Sequence, residues 1–212
     1  MKAFVLQILF VFTFSAVAQG QTQTLFDDSH SYGGFGGPML EFSKVNGQTV
    51  GDVGGGGALI INDFFVGGYG LGTEDATVFY EEEDYDIDFG HGGFWFGYAL
   101  NQHKLIHLYT SFRVGWGEVQ LLQNDDKKYD DNVLVLSPEI GIEVNVTNWF
   151  KLGLTGGYRY VDGINSLPVL ANEDFSSMYG AITFRFGGFG DYRNYSVHDS
   201  DYDDSEDDDF DF

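Results

Sequence analysis

The chain has 212 residues, 33 of them acidic and 10 basic, a formal net charge of −23 and no cysteine. Its length holds one all-β domain of ordinary size and no second sizeable core. The lack of cysteine excludes a disulfide framework and a lipid-anchoring thiol, and the negative charge repels nucleic-acid phosphate while attracting cations.

The first stretch, MKAFVLQILFVFTFSAVAQ, carries one lysine, an apolar run from Ala3 to Val17 and the small-x-small pattern Ala16-Val17-Ala18. This is the pattern of a signal peptide ending at Ala18, with a run short for a membrane helix and no basic stop-transfer flank. Cleavage removes Lys2 and leaves 9 basic against 33 acidic residues, 9 − 33 = −24. A polar lead follows over residues 19–31.

Eight apolar-alternating stretches come next: Tyr32 to Val45, Thr49 to Ile61, Phe64 to Leu71, Ile87 to Leu100, Leu105 to Leu121, Val133 to Val146, Phe150 to Val161 and Ser177 to Phe189. Helix-period stretches with caps are missing. The reading is all-β, and the even strand number suits an antiparallel up-and-down barrel over residues 32–190. The connections around Asn62, Asn101 and Thr147 are short, whereas Gly72 to Asp86, Leu122 to Asn132 and Asp162 to Ser176 are long and acidic. Membrane barrels alternate in this way, with tight turns at one rim and longer loops at the other. Asn46-Gly47 breaks the pattern by placing a tight hairpin signal where a long loop is due. From Asp191 on, DYRNYSVHDSDYDDSEDDDFDF is a low-complexity acidic tail that cannot bury enough apolar surface to fold.

Alternation alone does not say which face meets water. In NVLVLSPEIGIEVNV, Leu134, Leu136, Ile140, Ile142, Val144 and Val146 oppose Ser137, Glu139, Gly141, Glu143 and Asn145. A soluble sandwich turns the glutamates outward and a membrane barrel turns them inward. The glycine content of the polar face decides for the barrel. Glycine weakens a solvent-facing strand, but a narrow eight-stranded interior needs small residues opposite long charged ones. Gly67, Gly68, Gly70, Gly115, Gly141, Gly153 and Gly157 are assigned that use. The apolar face agrees in length: ten steps from Phe150 to Tyr160, at about 3.3 Å each and a tilt near 40°, project to roughly 25 Å, with aromatics at both ends. Two features count against the reading. Pro138 lies mid-strand, where a local bulge is expected to accommodate it, and GDVGGGGALII alternates poorly.

On these residues, together with the aromatic-rich closing strand MYGAITFRFGGF and the short turn NVTNW, residues 32–189 resemble the small eight-stranded outer-membrane β-barrels of the OmpA/OmpX-type superfamily. The resemblance implies an outer-membrane location and contact with outer-membrane lipid. Members of this group serve envelope integrity, adhesion or lipid modification, and the fold does not choose among these roles.

The expected inward set is Glu41, Arg113, Glu139, Glu143, Lys151, Arg159 and Arg185. A three-residue turn at Thr147 places Glu143 and Glu139 diagonal to Lys151 and Arg159. Four positive and three negative side chains then make an ionic plug, and eight strands are too few to leave an aqueous channel. His91, His107, Ser111, Ser137 and Glu139 invite a catalytic triad, but no spacing in the sequence brings them together, and no enzyme or cofactor is expected. Asp84, Asp86 and Asp88 share one face of an extended segment beside Glu81, Glu82 and Glu83. They are weak candidates for Ca²⁺ or Mg²⁺ bridging to lipid phosphates, against the plainer reading of a solvated acidic loop. The sequence supports a non-enzymatic outer-membrane component of structural or surface-interaction type, with a surface or periplasmic protein as an open partner. The alternatives are a secreted, soluble ligand-binding barrel and a lipid-modifying membrane enzyme.

Overall fold

A computed structural model describes residues 31–190 apart from 75 and 125. The expected leader (residues 1–18), the polar lead before Ser31 and the acidic tail from 191 on lie outside the described residues. The strands are β1 (Tyr32–Val45), β2 (Gln48–Ile61), β3 (Phe64–Glu74), β4 (Ala76–Tyr80), β5 (Glu83–Leu100), β6 (Ile106–Gln123), β7 (Asp126–Asn145), β8 (Phe150–Asp162) and β9 (Ser177–Gly188), with one helical turn, α1 (Asn172–Phe175), before β9. They form one antiparallel sheet in the order β3-β2-β1-β9-β8-β7-β6-β5-β4. The sheet closes on itself because β3 also pairs with β5. Strand β4 pairs only with β5, from Ala76 opposite Ile87 to Tyr80 opposite Glu83, and carries on the line of β3. The closed wall therefore has eight staves.

Short turns set the register. Asn46 and Gly47 both take positive φ (48° and 73°), the left-handed pair that a two-residue type I′ hairpin requires. The turn fixes Val45 opposite Gln48 and, four rungs down, Glu41 opposite Asp52. At the other end, Asn62 (φ 56°) and Asn101 (φ 55°) occupy the same left-handed region, which asparagine tolerates.

The long connections differ from the sequence expectation. Two of the three are strand extensions and not loops. Strands β4 and β5 run up to a turn at Glu81 and Glu82, both at positive φ, while β6 and β7 continue to Gln123 and Asp126. Alternation explains the difference. Val78, Tyr85 and Ile87 point inward and are buried, leaving Phe79, Asp84 and Asp86 exposed, so the acidic residues line the wet face of a projecting hairpin. The third connection is a true loop, closed by α1. Asp131 on β7 holds it by accepting hydrogen bonds from the backbone N–H groups of Asn165 (2.8 Å), Ser166 (2.7 Å) and Leu167 (3.0 Å).

The interior is packed from both ends. Val45, Val50, Ile87, Phe89, Leu121, Val135, Val161 and Phe175 belong to one buried cluster, toward the long hairpins. Phe35, Met39, Ile60, Phe65, Trp95 and Tyr109 belong to a second, toward the short turns. Interior glycines make room for aromatic rings and not, as the sequence suggested, for long charged chains. A Cβ on Gly115 would run into the Tyr69 hydroxyl, one on Gly141 into the Tyr109 ring, and one on Gly157 into the Tyr179 ring. Gly68 and Gly70 face outward, contrary to expectation, because β3 buries Phe65, Tyr69 and Leu71 instead.

Pro138 causes no bulge. It sits on the exposed side of β7, in register with Phe112 of β6. Pairing with β8 lapses at Ser137 and Pro138, then resumes in the same register at Glu139 opposite Gly157. The missing N–H costs local rungs and leaves the barrel's register unchanged. Pro38 on β1 repeats the device: pairing with β9 lapses between Gly36 and Met39 and resumes unshifted. The irregularity of β7 lies elsewhere, opposite Leu121 and Leu122.

Candidate functional site

The wall is inverted relative to a soluble barrel. Large apolar side chains stand exposed around it, among them Leu59, Phe64, Phe94, Leu108, Trp116, Ile140, Leu154 and Tyr160. Toward the short turns, aromatics gather into a girdle: Phe64 meets Tyr98 edge-on at 4.8 Å, and Phe150 stacks on Phe186 at 4.9 Å, beside Trp149. The charged residues are inside. Glu41, Arg113, Glu139, Glu143, Lys151, Arg159 and Arg185 are all buried, as are Asp52, His91 and His107.

The interior charges form two groups. The tight Asn46-Gly47 turn sets Glu41 directly opposite Asp52, two carboxylates that repel unless cations separate them. Arg159 and Arg113 supply those cations from across the barrel. Arg159 donates through Nη1 to Asp52 Oδ2 at 2.6 Å, through Nη2 to Ser43 Oγ at 2.9 Å and through Nε to the Phe175 carbonyl at 3.1 Å. Its Nη1 also lies 3.5 Å from Glu41 Oε1, and its guanidinium rests over the Phe89 ring. Thr73 donates to the second Asp52 oxygen at 2.5 Å. Arg113 donates from Nη2 to Glu41 Oε2 at 2.6 Å and approaches Glu139 Oε2 at 3.4 Å, held between the rings of Tyr69 and Tyr179. Glu139 also accepts from Trp95 Nε1 (3.1 Å), the Tyr179 hydroxyl (2.8 Å) and Ser111.

The second group lies nearer the short turns and centres on Glu143. Arg185 Nη1 reaches it at 2.6 Å, Lys151 Nζ at 3.1 Å and His107 Nε2 at 3.0 Å. The Arg185 guanidinium is boxed by Phe35, Phe65, Trp95 and Tyr109, each ring centroid within 5.1 Å, so its remaining N–H groups face π electrons. Lys151 lies over Phe189 at 4.3 Å. Four carboxylates (Glu41, Asp52, Glu139, Glu143) thus meet four permanent cations (Arg113, Lys151, Arg159, Arg185). Such pairs offset their own desolvation at best, and removing one partner leaves a charge that the interior cannot solvate.

The diagonal pairing expected across β7 and β8 is present for Glu143 with Lys151. Glu139 takes Arg113, while Arg159 goes to Glu41 and Asp52. Asp52 is the network residue that alternation alone passed over, because its strand is diluted by four consecutive glycines. The Asn-Gly turn was the signal that could have found it, since that turn fixes the register opposite Glu41.

Of the supposed triad residues Ser111 and Glu139 meet, but neither His91 nor His107 joins them. Ser111 bonds to Glu139, His107 to Glu143 and the Lys104 carbonyl, and His91 Nδ1 to the Tyr69 hydroxyl at 3.2 Å. All are buried, as is Ser137. Asp84, Asp86 and Asp88 are exposed on alternate positions of β5, about 7 Å apart along the strand. Among the described residues no three Asp, Glu or His side chains are grouped as a metal site.

A closed eight-stranded antiparallel cylinder with an apolar outer wall, a girdle of aromatics and buried internal charges is a transmembrane β-barrel of the bacterial outer-membrane type. No protein-family model matches the chain, and no curated protein matches it in sequence. Among solved structures the chain is similar to Neisserial surface protein A (NspA), with a TM-score of 0.55 and 11% identity over 76% of this chain and 99% of that one. Ail, the attachment invasion locus protein of Yersinia pestis, aligns at 15% identity over 74% of this chain and 97% of that one, with a TM-score of 0.41. Ail in complex with the heparin analogue sucrose octasulfate aligns over the same shares at 0.46. At these identities the likeness is one of fold.

Proposed function

We propose that the protein is a non-enzymatic component of the outer membrane, a barrel whose interior is a structural plug and whose projecting acidic hairpins are its contact surface. The observation that carries this reading is the pairing of charges and packing of side chains inside the barrel. Cations from β6, β8 and β9 meet carboxylates from β1, β2 and β7 across the lumen, and aromatic and aliphatic side chains fill the space at either end. Such a lumen has no continuous polar path for ions. Against enzymatic chemistry, among the described residues no buried serine is bonded to a histidine, and Glu41, Asp52, Glu139 and Glu143 are each engaged by an interior cation. Short turns then face the periplasm and the β4–β5 and β6–β7 hairpins face outward, following the rule for such barrels.

The mature protein, refolded into lipid vesicles and examined in planar bilayers, tests this. The expected result is a gel shift between unboiled and boiled samples with no stepwise conductance. Stable single-channel steps would overturn the plug, and recovery of folded protein from a detergent-free aqueous fraction would overturn the membrane barrel itself.

A further inference from the structure

The short-turn end of the barrel opens into a vestibule of about 720 Å³, lined among others by Tyr32, Gln102, Asn145, Asn148, Lys151 and Phe189. In a chain with 33 acidic residues, none of the described residues lining it is acidic. Lys151 also lines the small cavity beneath, beside Glu143, Arg185 and Asp63, and so joins the vestibule to the inner ion pairs. The rim is held in shape. Asn145 Nδ2 donates to the carbonyls of Gln102 at 2.9 Å and Lys104 at 2.7 Å, tying one short turn to the next.

The charges at the vestibule floor do not balance. Glu143 meets Arg185 at 2.6 Å, Lys151 at 3.1 Å and His107 Nε2 at 3.0 Å. The other ring nitrogen of His107, Nδ1, lies 3.1 Å from the Lys104 carbonyl. Carboxylate and carbonyl oxygens only accept, so both nitrogens donate and His107 carries a positive charge. Asp63 is the other acidic residue lining the lower cavity, which sets two carboxylates against three cations. Lys151 is the one of these cations that also lines the vestibule, and the excess charge draws an anion to it.

Size and lining narrow the occupant. A space of about 720 Å³ is that of a small-molecule site and far more than an inorganic ion needs. Its amides and rings suit an organic body with polar groups and not an acyl chain. We infer that the vestibule binds a small organic carboxylate, with the anionic group on Lys151 and the rest of the molecule against the amide side chains and the Phe189 ring. Entry from the periplasmic side rests on the barrel reading above.

Hippurate, a carboxylate with an amide and a ring, is the probe, and its methyl ester is the neutral control. Each is titrated into the isotope-labelled mature protein in micelles while backbone amide shifts are followed. Hippurate should move the signals of Asn148, Lys151 and Gly188 and saturate below about 20 mM, within reach of one charge-assisted contact and partial ring burial. The ester should bind about tenfold more weakly, and Lys151→Gln should weaken hippurate by about as much, since each removes one partner of that contact. Asn148→Glu leaves the interior untouched, because it adds a carboxylate to an exposed turn of the rim, and it should weaken hippurate about fivefold by repulsion. Equal binding of hippurate and ester, binding unchanged by Asn148→Glu, or the lack of any saturable shift overturns the inference. The gel heat shift of the same sample separates the two readings: a shifted barrel that does not bind refutes only the site, and a sample without the shift refutes the barrel.

Discussion

Arg159 offers the sharpest test of a dry, ion-paired interior. Its side chain is fully buried and donates to Asp52, Ser43 and the Phe175 carbonyl while lying near Glu41. Arg159→Met keeps the length of the stem and removes the charge and every donor. Glu41 retains Arg113, but Asp52 keeps only the Ser43 and Thr73 hydroxyls, two neutral donors for a buried anion. Stranding such a carboxylate costs about 3–5 kcal/mol, two or more orders of magnitude in the folding equilibrium. Asp52→Asn in the same background removes the stranded charge. The double variant should therefore recover part of the loss, with a coupling energy of about 1–3 kcal/mol. Urea unfolding from vesicles, followed by the fluorescence of Trp95, Trp116 and Trp149, gives the four stabilities. A loss below about 1 kcal/mol for Arg159→Met, or strict additivity with Asp52→Asn, would mean that water reaches these groups, and the sealed interior would be refuted.

Three further outcomes follow from the same geometry. Ile140 is 64% exposed in the middle of the outward face of β7, so Ile140→Arg should cost about 2–4 kcal/mol in a bilayer, whereas a soluble protein would tolerate it; refolding yield into vesicles decides. Gly70→Ala puts a methyl where nothing lies within 4 Å and should shift stability by less than about 0.5 kcal/mol, but Gly115→Ala drives one into the Tyr69 hydroxyl and should cost about 1–3 kcal/mol in the same urea assay. Burial of Asp131 pushes its pKa up, but the backbone donors of Ser166, Asn165 and Leu167 outweigh that and hold it below the usual carboxylate value. A depressed pKa stabilises the folded loop above the unfolded pKa, near 3.9, and the gain vanishes as pH falls through the folded value. Hydrogen-exchange protection of residues 163–176 should be level from about pH 7 to 5 and fall below about 4; protection that declines near neutrality would point to a different anchor.

How much of this was legible in the sequence differs from strand to strand. Period-two alternation exposed the staves of the barrel, weakly for the glycine-diluted β2, because a strand buried on one face must repeat its apolar residues at that period whatever surrounds it. Glycine on the polar face and the length of Phe150 to Tyr160 then turned the cylinder inside out. The same alternation was mistaken for loop at Glu83 to Asp86 and Asp126 to Asn132, where acidic residues on the wet face hid the buried Tyr85 and the half-buried Tyr129 between them. Pro138 looked like a defect because a sequence does not show that one lapsed set of rungs leaves a register intact.

Which charges meet was beyond the sequence. Alternation placed Glu41, Arg113, Glu139, Glu143, Lys151, Arg159 and Arg185 on one face, and a turn could pair neighbours such as Glu143 and Lys151. The contacts of Arg159 with Asp52 and of Arg113 with Glu41 join residues 107 and 72 positions apart. They exist because closing eight staves brings opposite walls within side-chain reach. Local pattern determined the face each residue occupies. Closure of the ring decided its partner, since distance across a lumen depends on all the strands together and on none of them singly.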